Sequence, residues 1–190
     1  MTDANRPATP GFAVTVFLSS ASKVDKVFFN AATAMGHAIA AERWVLNYGG
    51  NNIGCMGALA DGARQAGGRV VGITPKYFIE KGLADKACDE LLVTDTMRER
   101  KFLLEQRADA FVALPGGLGT FEELFEIIVG RQLGLHSKPI VLLKVNEYYT
   151  PLLQLIDRGV EQHFVRSEAK RIVEVATTVE QAIARLKMAR

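Results

Sequence analysis

A glycine-rich turn between an apolar run and a helical pattern is the segment of this chain with the clearest chemistry. Residues 115–119, Pro-Gly-Gly-Leu-Gly, follow the apolar run 110–114 and precede a helix that the apolar spacing predicts from Phe121. Glycines leave backbone N–H groups unshielded, and the N-terminus of a helix carries a partial positive charge. The turn therefore predicts a binding site for an anion, most often a phosphate.

Thr120 and Glu123 lie at the start of this helix and admit two interpretations. Thr-x-x-Glu is the pattern of a capping box, in which the threonine caps a backbone N–H and the glutamate reaches back to the cap. That interpretation explains both residues without any chemistry. A helix needs a cap, however, and has no need of three glycines before it, so the glycine turn favours a functional role for the same pair.

A basic stretch after the apolar run 90–94 is the second candidate for ligand binding. It starts a predicted helix with Met97-Arg98-Glu99-Arg100-Lys101, and a guanidinium group there could hold a phosphate through two hydrogen bonds. The simpler interpretation is a solvated helix face, because glutamates interrupt the cations Arg98, Arg100, Lys101 and Arg107. Composition leaves both interpretations open.

Short apolar runs alternate with helical patterns along the chain, and this alternation determines where the two segments lie. Strands are predicted at 12–18, 44–48, 69–74, 90–94, 110–114, 139–143 and 172–176, and helices at 24–42, 54–65, 97–106, from 121, 149–162 and 179–188. The pattern predicts a single Rossmann-like domain of the α/β class, with three layers (α/β/α) and a mostly parallel sheet. Ligands bind such sheets outside the carboxyl ends of the strands, where four distinctive turns fall: 19–22, 49–52, 74–76 and the glycine turn.

Two nucleotide-binding classes lack their fingerprints here. A dinucleotide-binding domain needs GxGxxG after its first strand, whereas the first turn, Ser19-Ser20-Ala21-Ser22, contains no glycine. The glycines of the second turn have the wrong spacing, and no GxxxxGKS/T loop of an NTPase is present. The predicted fold can therefore be Rossmann-like without binding NAD.

Composition and charge narrow the expected partners and compartment. The net charge of +2 gives no global electrostatic case for nucleic acid. Cys55 and Cys88 lack CxxC spacing, which predicts a reducing compartment and no metal site. No apolar stretch approaches the roughly 20 residues of a membrane span. We therefore expect a cytoplasmic chain with no membrane partner, in which residues 1–10 form a flexible tail and 11–190 one domain.

Several segments together resemble the LOG family, the cytokinin riboside 5′-monophosphate phosphoribohydrolases. Residues 115–123 match its PGGxGTxxE motif, and Met97 to Lys101 resemble its Met-x-x-Arg-Lys segment. The resemblance continues through the segments 48–50, 54–57, 132–139 and 148–153, and it spans roughly residues 13 to 165. Two long motifs in the same order on matching elements make the resemblance specific.

The resemblance implies an enzyme that needs no cofactor. Members hydrolyse the N-glycosidic bond of an adenine-type nucleoside 5′-monophosphate, releasing the base and ribose 5-phosphate. They are usually dimeric, with sites near the dimer interface, so the expected partners are this substrate and a second copy of the chain, in a dimer or higher oligomer. Glu123 and Arg100 carry over as the catalytic residues. Residues expected to bind the substrate or its phosphate are Ser19, Ser20, Gly49, Gly50, Met97, Lys101, Pro115, Gly116, Gly117, Leu118, Gly119, Thr120 and Glu122.

The chain departs from the family pattern at positions expected to line the base and the sugar. Asn51 holds the third place of a Gly-Gly-Gly turn, Gly82 replaces a glutamate, and Val129-Gly130 replace a Thr-Trp pair. The retained motifs predict hydrolysis, whereas these changes support an alternative, a non-catalytic carrier of a nucleotide or of the molybdenum cofactor. Nucleic-acid binding through residues 98–107 is a weaker third hypothesis, because glutamates interleave the cations.

Overall fold

Strands and helices alternate along residues 11–189, the part of the chain that the computed structural model describes. The strands are β1 (Ala13–Phe17), β2 (Val45–Tyr48), β3 (Val70–Pro75), β4 (Glu90–Thr94), β5 (Ala110–Ala113), β6 (Ile140–Leu143) and β7 (Val173–Ala176). The helices are α1 (Lys26–Ala41), α2 (Gly54–Gln65), α3 (Lys76–Glu80), α4 (Met97–Gln106), α5 (Leu118–Gln132), α6 (Thr150–Glu161) and α7 (Val179–Met188). Short 3₁₀ turns occupy Val145–Glu147 and Ser167–Arg171. The predicted tail at 1–10 lies outside the described residues, as does position 190.

The strands form one parallel sheet that is built outward from β1. Their order is β4–β3–β2–β1–β5–β6–β7, and every neighbouring pair is parallel. Val16 of β1 pairs with Tyr48 of β2 on one side and with Val112 of β5 on the other. The sheet grows from β1 towards β2, β3 and β4 on one side and towards β5, β6 and β7 on the other. The loops after β1 and β5 therefore diverge and leave a crevice at the carboxyl ends of these two strands.

Two apolar layers cover the sheet and confirm the predicted three-layer fold. On one face Met35 of α1, Leu59 of α2 and Leu186 of α7 are fully buried. On the other face Leu104 of α4 and Leu124 of α5 are buried, and part of α6 packs beside them. The strands read as continuous apolar runs because both of their faces are covered. Within residues 11–189, no helix combines the length and the hydropathy required to span a membrane.

Most predicted elements are confirmed, and the differences concern the start of one helix and one short helix. Helices α2, α4 and α7 begin and end where the sequence predicts. Helix α5 begins at Leu118 instead of Phe121, and α3 was not predicted. A five-residue helix is too short to show a helical period of apolar residues, so periodicity alone does not reveal it.

Candidate active site

The glycine turn leads directly into α5, which begins before the residues expected to cap it. Gly117 is the N-cap residue, and no side chain caps the helix. Thr120 and Glu123 therefore lie inside the helix, and the predicted capping box between them is wrong. The Thr120 side chain packs against Gly116 instead, where a Cβ atom would overlap its hydroxyl oxygen. Its oxygen is thus directed at the turn and not at the helix start.

Helix α5 begins without a side-chain cap, as α2, α3 and α6 do, whereas α1, α4 and α7 are capped. There the side-chain oxygens of Asp25, Thr96 and Thr178 accept hydrogen bonds from backbone N–H groups. At α4 the pair Thr96 and Glu99 forms a complete capping box. Helix α5 has neither a side-chain cap nor an acidic residue in its first turn. The first N–H groups of a helix have no internal partner, so those of α5 remain available to an external anion.

Arg100 on α4 is almost fully buried, and three acceptors fix its guanidinium group. Its Nε donates to the carbonyl of Ile73 at 3.0 Å, one terminal nitrogen to Glu123 Oε1 at 3.1 Å, and the other to the carbonyl of Gly49 at 3.3 Å. A Cβ atom at position 49 would overlap this guanidinium group, so the contact requires a glycine there. Arg100 thus connects the carboxyl ends of β2 and β3 to helix α5.

Polar side chains in the middle of the sheet hold α4 in place. Thr15 Oγ1 donates to the carbonyl of Leu104 at 2.8 Å, and Asn47 Nδ2 donates to the carbonyl of Arg107 at 3.0 Å. These carbonyls lie in the last turn and at the C-cap of α4, where helix carbonyls lack internal partners. A buried hydroxyl or amide without a partner would destabilise the fold, so the bonds explain the polar residues in β1 and β2. They also fix the position of Arg100.

Glu123 combines burial with a charged neighbour, and the two have opposite effects on its proton affinity. Burial raises the pKa of Glu123 from 4.5 to about 7, although the positive charge of Arg100 opposes the shift. The residue is only 6% exposed, so water screens neither effect well. A carboxyl group with a pKa near neutrality can exchange a proton under physiological conditions, as acid–base catalysis requires.

A cleft of about 230 Å³ brings the two halves of the predicted site together. Its wall contains these residues predicted to act on or bind the ligand: Ser19, Ser20, Met97, Arg100, Gly117, Gly119, Thr120, Glu122 and Glu123. A second compartment of similar size adjoins it and shares Ser19 and Gly117 with it. Pro115 and Gly116 line this second compartment, together with Phe28 and Tyr148. The glycine turn and the Arg100 segment, which are far apart in sequence, therefore face the same cavity at the carboxyl ends of β1 and β5.

Four of the predicted ligand-binding residues are placed differently. Lys101 Nζ pairs with two carboxylates of α5, at 2.8 and 3.0 Å. Leu118 is 85% exposed on the first turn of α5. Gly49 supplies its carbonyl to Arg100, and Gly50, with a φ of +69°, allows the turn after β2 to pass close to Thr74. Within the described part of the chain, these two glycines hold Arg100 and the turn after β2 in place and do not line the cleft.

The basic stretch on α4 is not a uniformly solvated face. Arg100 and Arg107 are 4% and 5% exposed, so that interpretation is wrong for these two residues. A terminal nitrogen of Arg107 pairs with Glu90 of β4 at 3.0 Å. Arg98, in contrast, is exposed, as a solvated face predicts. The stretch therefore supplies internal anchors as well as surface charge.

Asn51 lines the cleft, as expected for a position that departs from the family turn, and Leu18, Met56 and Phe78 line it without having been predicted to do so. The sequence points to Asn51 because this residue departs from the family turn. In the structure, its buried Oδ1 has no hydrogen-bond partner within the described residues. Phe78 lies on α3, the helix that periodicity does not reveal. Leu18 and Met56 resemble ordinary core residues in sequence, so only the fold shows that they reach the cleft.

A second polar network supports the turn after β2. Tyr48 donates its hydroxyl to Asp85 Oδ2 at 2.6 Å, and Arg64 donates to the same oxygen at 2.8 Å. The N–H of Asp85 donates to the carbonyl of Gly50 at 2.8 Å. Burial would raise the pKa of Asp85, but the bonds from Tyr48 and Arg64 outweigh it and lower that pKa. The network holds the glycine turn whose carbonyl binds Arg100.

The departures at positions 82, 129 and 130 lie apart from the residues that line the cleft. Val129 borders a groove between α5 and α6, and Gly130 faces the ring of His136. Gly82 follows α3 with a φ of +70° and has open space around it. Within one chain, Val129 and Gly130 therefore do not border the Arg100 cleft. Residues 11–189 also contain no group of three or more His, Cys, Asp or Glu side chains placed to hold a metal ion.

Replacing Gly116 with alanine should destabilise the protein, whereas the same change at Gly119 should not. At position 116 a Cβ atom would lie 2.5 Å from Thr120 Cβ and overlap its hydroxyl, so we expect Gly116→Ala to cost about 1–3 kcal/mol. At position 119, inside α5, nothing lies within 4 Å of the added atom. Gly119→Ala should therefore leave the melting temperature unchanged or raise it, because alanine favours helix. Thermal unfolding of both variants measures the difference, and equal melting temperatures would contradict this packing.

The arrangement can hold an anionic group and place a carboxylate next to it. The free N–H groups at the start of α5 favour a phosphate, and the buried Glu123 and Arg100 lie on the same cleft wall. A carboxylate so placed can stabilise positive charge developing on a sugar or activate a water molecule. The cleft is thus equipped to bind a phosphorylated sugar and to hydrolyse a bond to it.

Known proteins resemble this chain over most of its length. The family model described as "possible lysine decarboxylase" matches residues 56–186. A cytokinin riboside 5′-monophosphate phosphoribohydrolase from Rhodococcoides fascians is 42% identical over 175 residues, which cover 92% of this chain and 88% of that protein. A probable enzyme of the same name from Oryza sativa subsp. japonica is 38% identical over 174 residues, covering 92% and 71%.

Solved structures share the fold. The molybdenum cofactor binding protein from Rippkaea orientalis aligns with a TM-score of 0.73 at 24% identity, covering 95% of this chain and 98% of that chain. The Moco carrier protein from Chlamydomonas reinhardtii aligns with a TM-score of 0.71 at 26% identity, covering 94% and 97%. The family model spans more than half of the chain, and the bacterial relative aligns over most of both proteins. The resemblance carried by the glycine turn and the Arg100 segment is therefore confirmed, and the chain belongs to the LOG family.

Proposed function

We propose that this chain hydrolyses the N-glycosidic bond of purine nucleoside 5′-monophosphates, with AMP or an N6-substituted cytokinin form as substrate. The observation that carries the proposal is the buried Arg100–Glu123 pair, 3.1 Å apart, on the same cleft wall as the uncapped start of α5. The names of the bacterial and plant relatives support the same reaction. The products are the free base and ribose 5-phosphate.

The proposed mechanism uses backbone for binding and side chains for chemistry. The N–H groups at the start of α5 and the Thr120 hydroxyl hold the 5′-phosphate, which places the sugar next to Glu123. As the C–N bond breaks, positive charge develops on the sugar, and the Glu123 carboxylate stabilises it or accepts a proton from water. The water oxygen bonds to the sugar carbon, and the proton that the water loses ends on the departing base. Arg100 orients Glu123 and favours its ionised form.

The remaining predicted residues are proposed as walls of the substrate site. Ser19 and Ser20 border the cleft from the turn after β1, and Met97 and Glu122 border it from α4 and α5. Met97 is 43% exposed, which leaves an apolar surface available to the base. The backbone of residues 116–120 forms the side of the cleft nearest the phosphate. These roles make the base contact mostly apolar and the phosphate contact mostly polar.

Base release from a panel of nucleotides tests the proposal directly. Purified protein is incubated with AMP, N6-isopentenyl AMP, GMP and CMP, and the free base is quantified by chromatography. We expect release of adenine or its N6-substituted form and much slower release from CMP. Absence of base release from every purine monophosphate, together with tight binding of a phosphorylated ligand, would contradict hydrolysis and identify a carrier.

We also propose that the chain forms a homodimer through α5 and α6. Phe125 and Val129 of α5 and Leu133 at its C-cap repeat every four residues and are 39%, 47% and 67% exposed. Leu155 on α6 is 67% exposed, and a groove of about 390 Å³ lined mostly by apolar side chains lies between the two helices. Exposed apolar side chains and an apolar groove on the same two helices favour covering by protein. Light scattering should give twice the chain mass of 20.7 kDa, and a monomeric mass would contradict the proposal.

A further inference from the structure

Two tyrosines after β6 hold the carbonyl groups of the glycine turn. Tyr148 donates its hydroxyl to the carbonyl of Gly116 at 2.6 Å, and Tyr149 donates to the carbonyl of Leu114 at 2.6 Å. The two rings meet edge to face with centroids 5.2 Å apart. Phe121 of α5 packs against both rings, at 6.5 and 6.3 Å. The hydroxyls thus bind the turn on either side of its proline.

The backbone before this pair adopts a costly conformation. Asn146 and Glu147 have φ values of +48° and +56°, in the left-handed region that non-glycine residues rarely occupy. The Glu147 carboxylate accepts hydrogen bonds from Lys144 at 2.9 Å and Thr150 at 2.6 Å, which hold the bend. Strain held by surrounding contacts in this way often accompanies a functional constraint. Here the bend delivers both tyrosines to the glycine turn.

The geometry of the peptide bond means that the Tyr148 contact also fixes the direction of a hydrogen-bond donor, the N–H of Gly117. The described residues contain no cis peptide bond, and in a trans peptide the C=O and N–H groups point in opposite directions. Because Tyr148 holds the carbonyl of Gly116, the N–H of Gly117 must point away from Tyr148. Gly117 borders both the Arg100 cleft and the adjoining compartment, whereas Tyr148 borders the adjoining compartment, so an N–H that points away from Tyr148 is directed towards the Arg100 cleft. As the N-cap residue, Gly117 has an N–H outside the helical hydrogen bonds.

Tyr149 makes the same kind of bond without this consequence. The carbonyl of Leu114 belongs to the peptide that precedes Pro115, and proline has no N–H to orient. Tyr149 is fully buried, so its hydroxyl satisfies a carbonyl that water cannot reach. The two neighbouring tyrosines therefore make the same kind of hydrogen bond with different effects. Tyr148 fixes the direction of the Gly117 N–H, whereas Tyr149 contributes to stability alone.

We propose that Tyr148 is a positioning residue that directs the Gly117 N–H at the phosphate of the bound ligand, whereas Tyr149 stabilises the end of β5. The inference rests on the proposed function, because it assumes a phosphorylated sugar in the cleft. It assigns to the Tyr-Tyr segment a role in phosphate affinity that acts through the backbone of the glycine turn.

The matched variants Tyr148→Phe and Tyr149→Phe test this assignment. Calorimetric titration with ribose 5-phosphate and steady-state kinetics with AMP are compared, and thermal unfolding is followed in parallel. Tyr148→Phe should raise Kd and KM by about tenfold, the size of one hydrogen bond, with kcat changed less than about twofold. Its melting temperature should stay close to that of the parent, because the ring remains and because Tyr148 and Gly116 both border the adjoining compartment, from which water can reach the carbonyl. Tyr149→Phe should lower the melting temperature and leave Kd unchanged.

The outcomes separate this inference from the proposed function. A parent protein that neither binds ribose 5-phosphate nor releases base would overturn both. A parent protein that turns over AMP, with Tyr148→Phe retaining its KM and Kd, would overturn the positioning role alone. An equal loss of affinity in Tyr149→Phe would also overturn it, since that result indicates a general loosening of the turn.

Discussion

Glu123→Gln is expected to lower the rate of base release from AMP by roughly a thousandfold at pH 7, within the range that acid–base groups contribute. The glutamine keeps the shape of the side chain and can still accept the hydrogen bond that Arg100 donates at 3.1 Å. It can neither carry a negative charge towards the sugar nor take a proton from water. The measurement is kcat from chromatographic quantification of adenine.

The pH dependence of the parent protein provides a second signature of Glu123. Since the pKa of Glu123 lies at about 7 and the ionised form is the active one, kcat/KM should rise with pH up to about 7 and then level off. A profile that falls through this range would indicate that the protonated carboxyl is required. In Glu123→Gln the residual rate should lose this rising limb, because the group that titrates is gone.

The same raised pKa has the opposite consequence for stability. Between 4.5, the ordinary pKa, and about 7, the folded protein binds a proton at Glu123 that the unfolded chain has released. The contribution of this group to the free energy of unfolding therefore decreases as the pH rises through that window. Urea unfolding at pH 5 and pH 8 should show this contribution in the parent protein and not in Glu123→Gln.

A matched control lies three residues further along α5. Glu126 pairs with Lys101 at 3.0 Å, its side chain is 48% exposed, and it is not among the described residues that line the Arg100 cleft. Glu126→Gln removes the same charge from the same helix and should leave the rate close to that of the parent protein. If Glu123→Gln retained more than about a tenth of the activity, a role in proton transfer or charge stabilisation would be refuted.

The elements with a long apolar period could be predicted from sequence, and the start of α5 could not. The glycine pair Gly67-Gly68 follows α2 as a C-terminal signal, and the predicted bounds of α2 and α7 match the observed ones. At α5 the Thr-x-x-Glu pattern suggested a cap three residues too late, because sequence does not show what competes for a threonine hydroxyl. In the fold, Gly117 serves as the N-cap and Thr120 packs on Gly116. The capping-box rule therefore gives the wrong start for α5, a helix that no side chain caps.

The chemistry of the site was readable as residue types, whereas its geometry depends on tertiary contacts. The glycine turn and Arg100 were identified from spacing and family resemblance. That Arg100 is buried, and that it reaches carbonyls at the ends of two strands, follows from the order of β1, β2 and β3 in the sheet. Lys101, its neighbour, was expected in the cleft but pairs with α5, since adjacent helix residues point in different directions.

Arg100→Gln is the second substitution from which we expect a large effect, and its signature is a shift in pH dependence. The positive charge of Arg100 lowers the pKa of Glu123 against the effect of burial. An opposite charge this close shifts a carboxyl pKa by about 1–3 units, so its removal should raise the pKa of Glu123 well above 7. The ionised fraction at pH 7, and with it kcat/KM, should fall by about a hundredfold.

The fall in kcat/KM caused by Arg100→Gln should become smaller as the pH rises, because Glu123 of the variant ionises at high pH. The ratio of parent to variant kcat/KM, measured from pH 6 to pH 9, should therefore decrease steadily with pH. A purely structural defect would lower the rate by the same factor at every pH. Arg98→Gln is the matched control, since it removes the same charge from an exposed position on the same helix. A constant ratio for Arg100→Gln, or a pH-dependent ratio for Arg98→Gln, would contradict the role of Arg100 in setting the ionisation of Glu123.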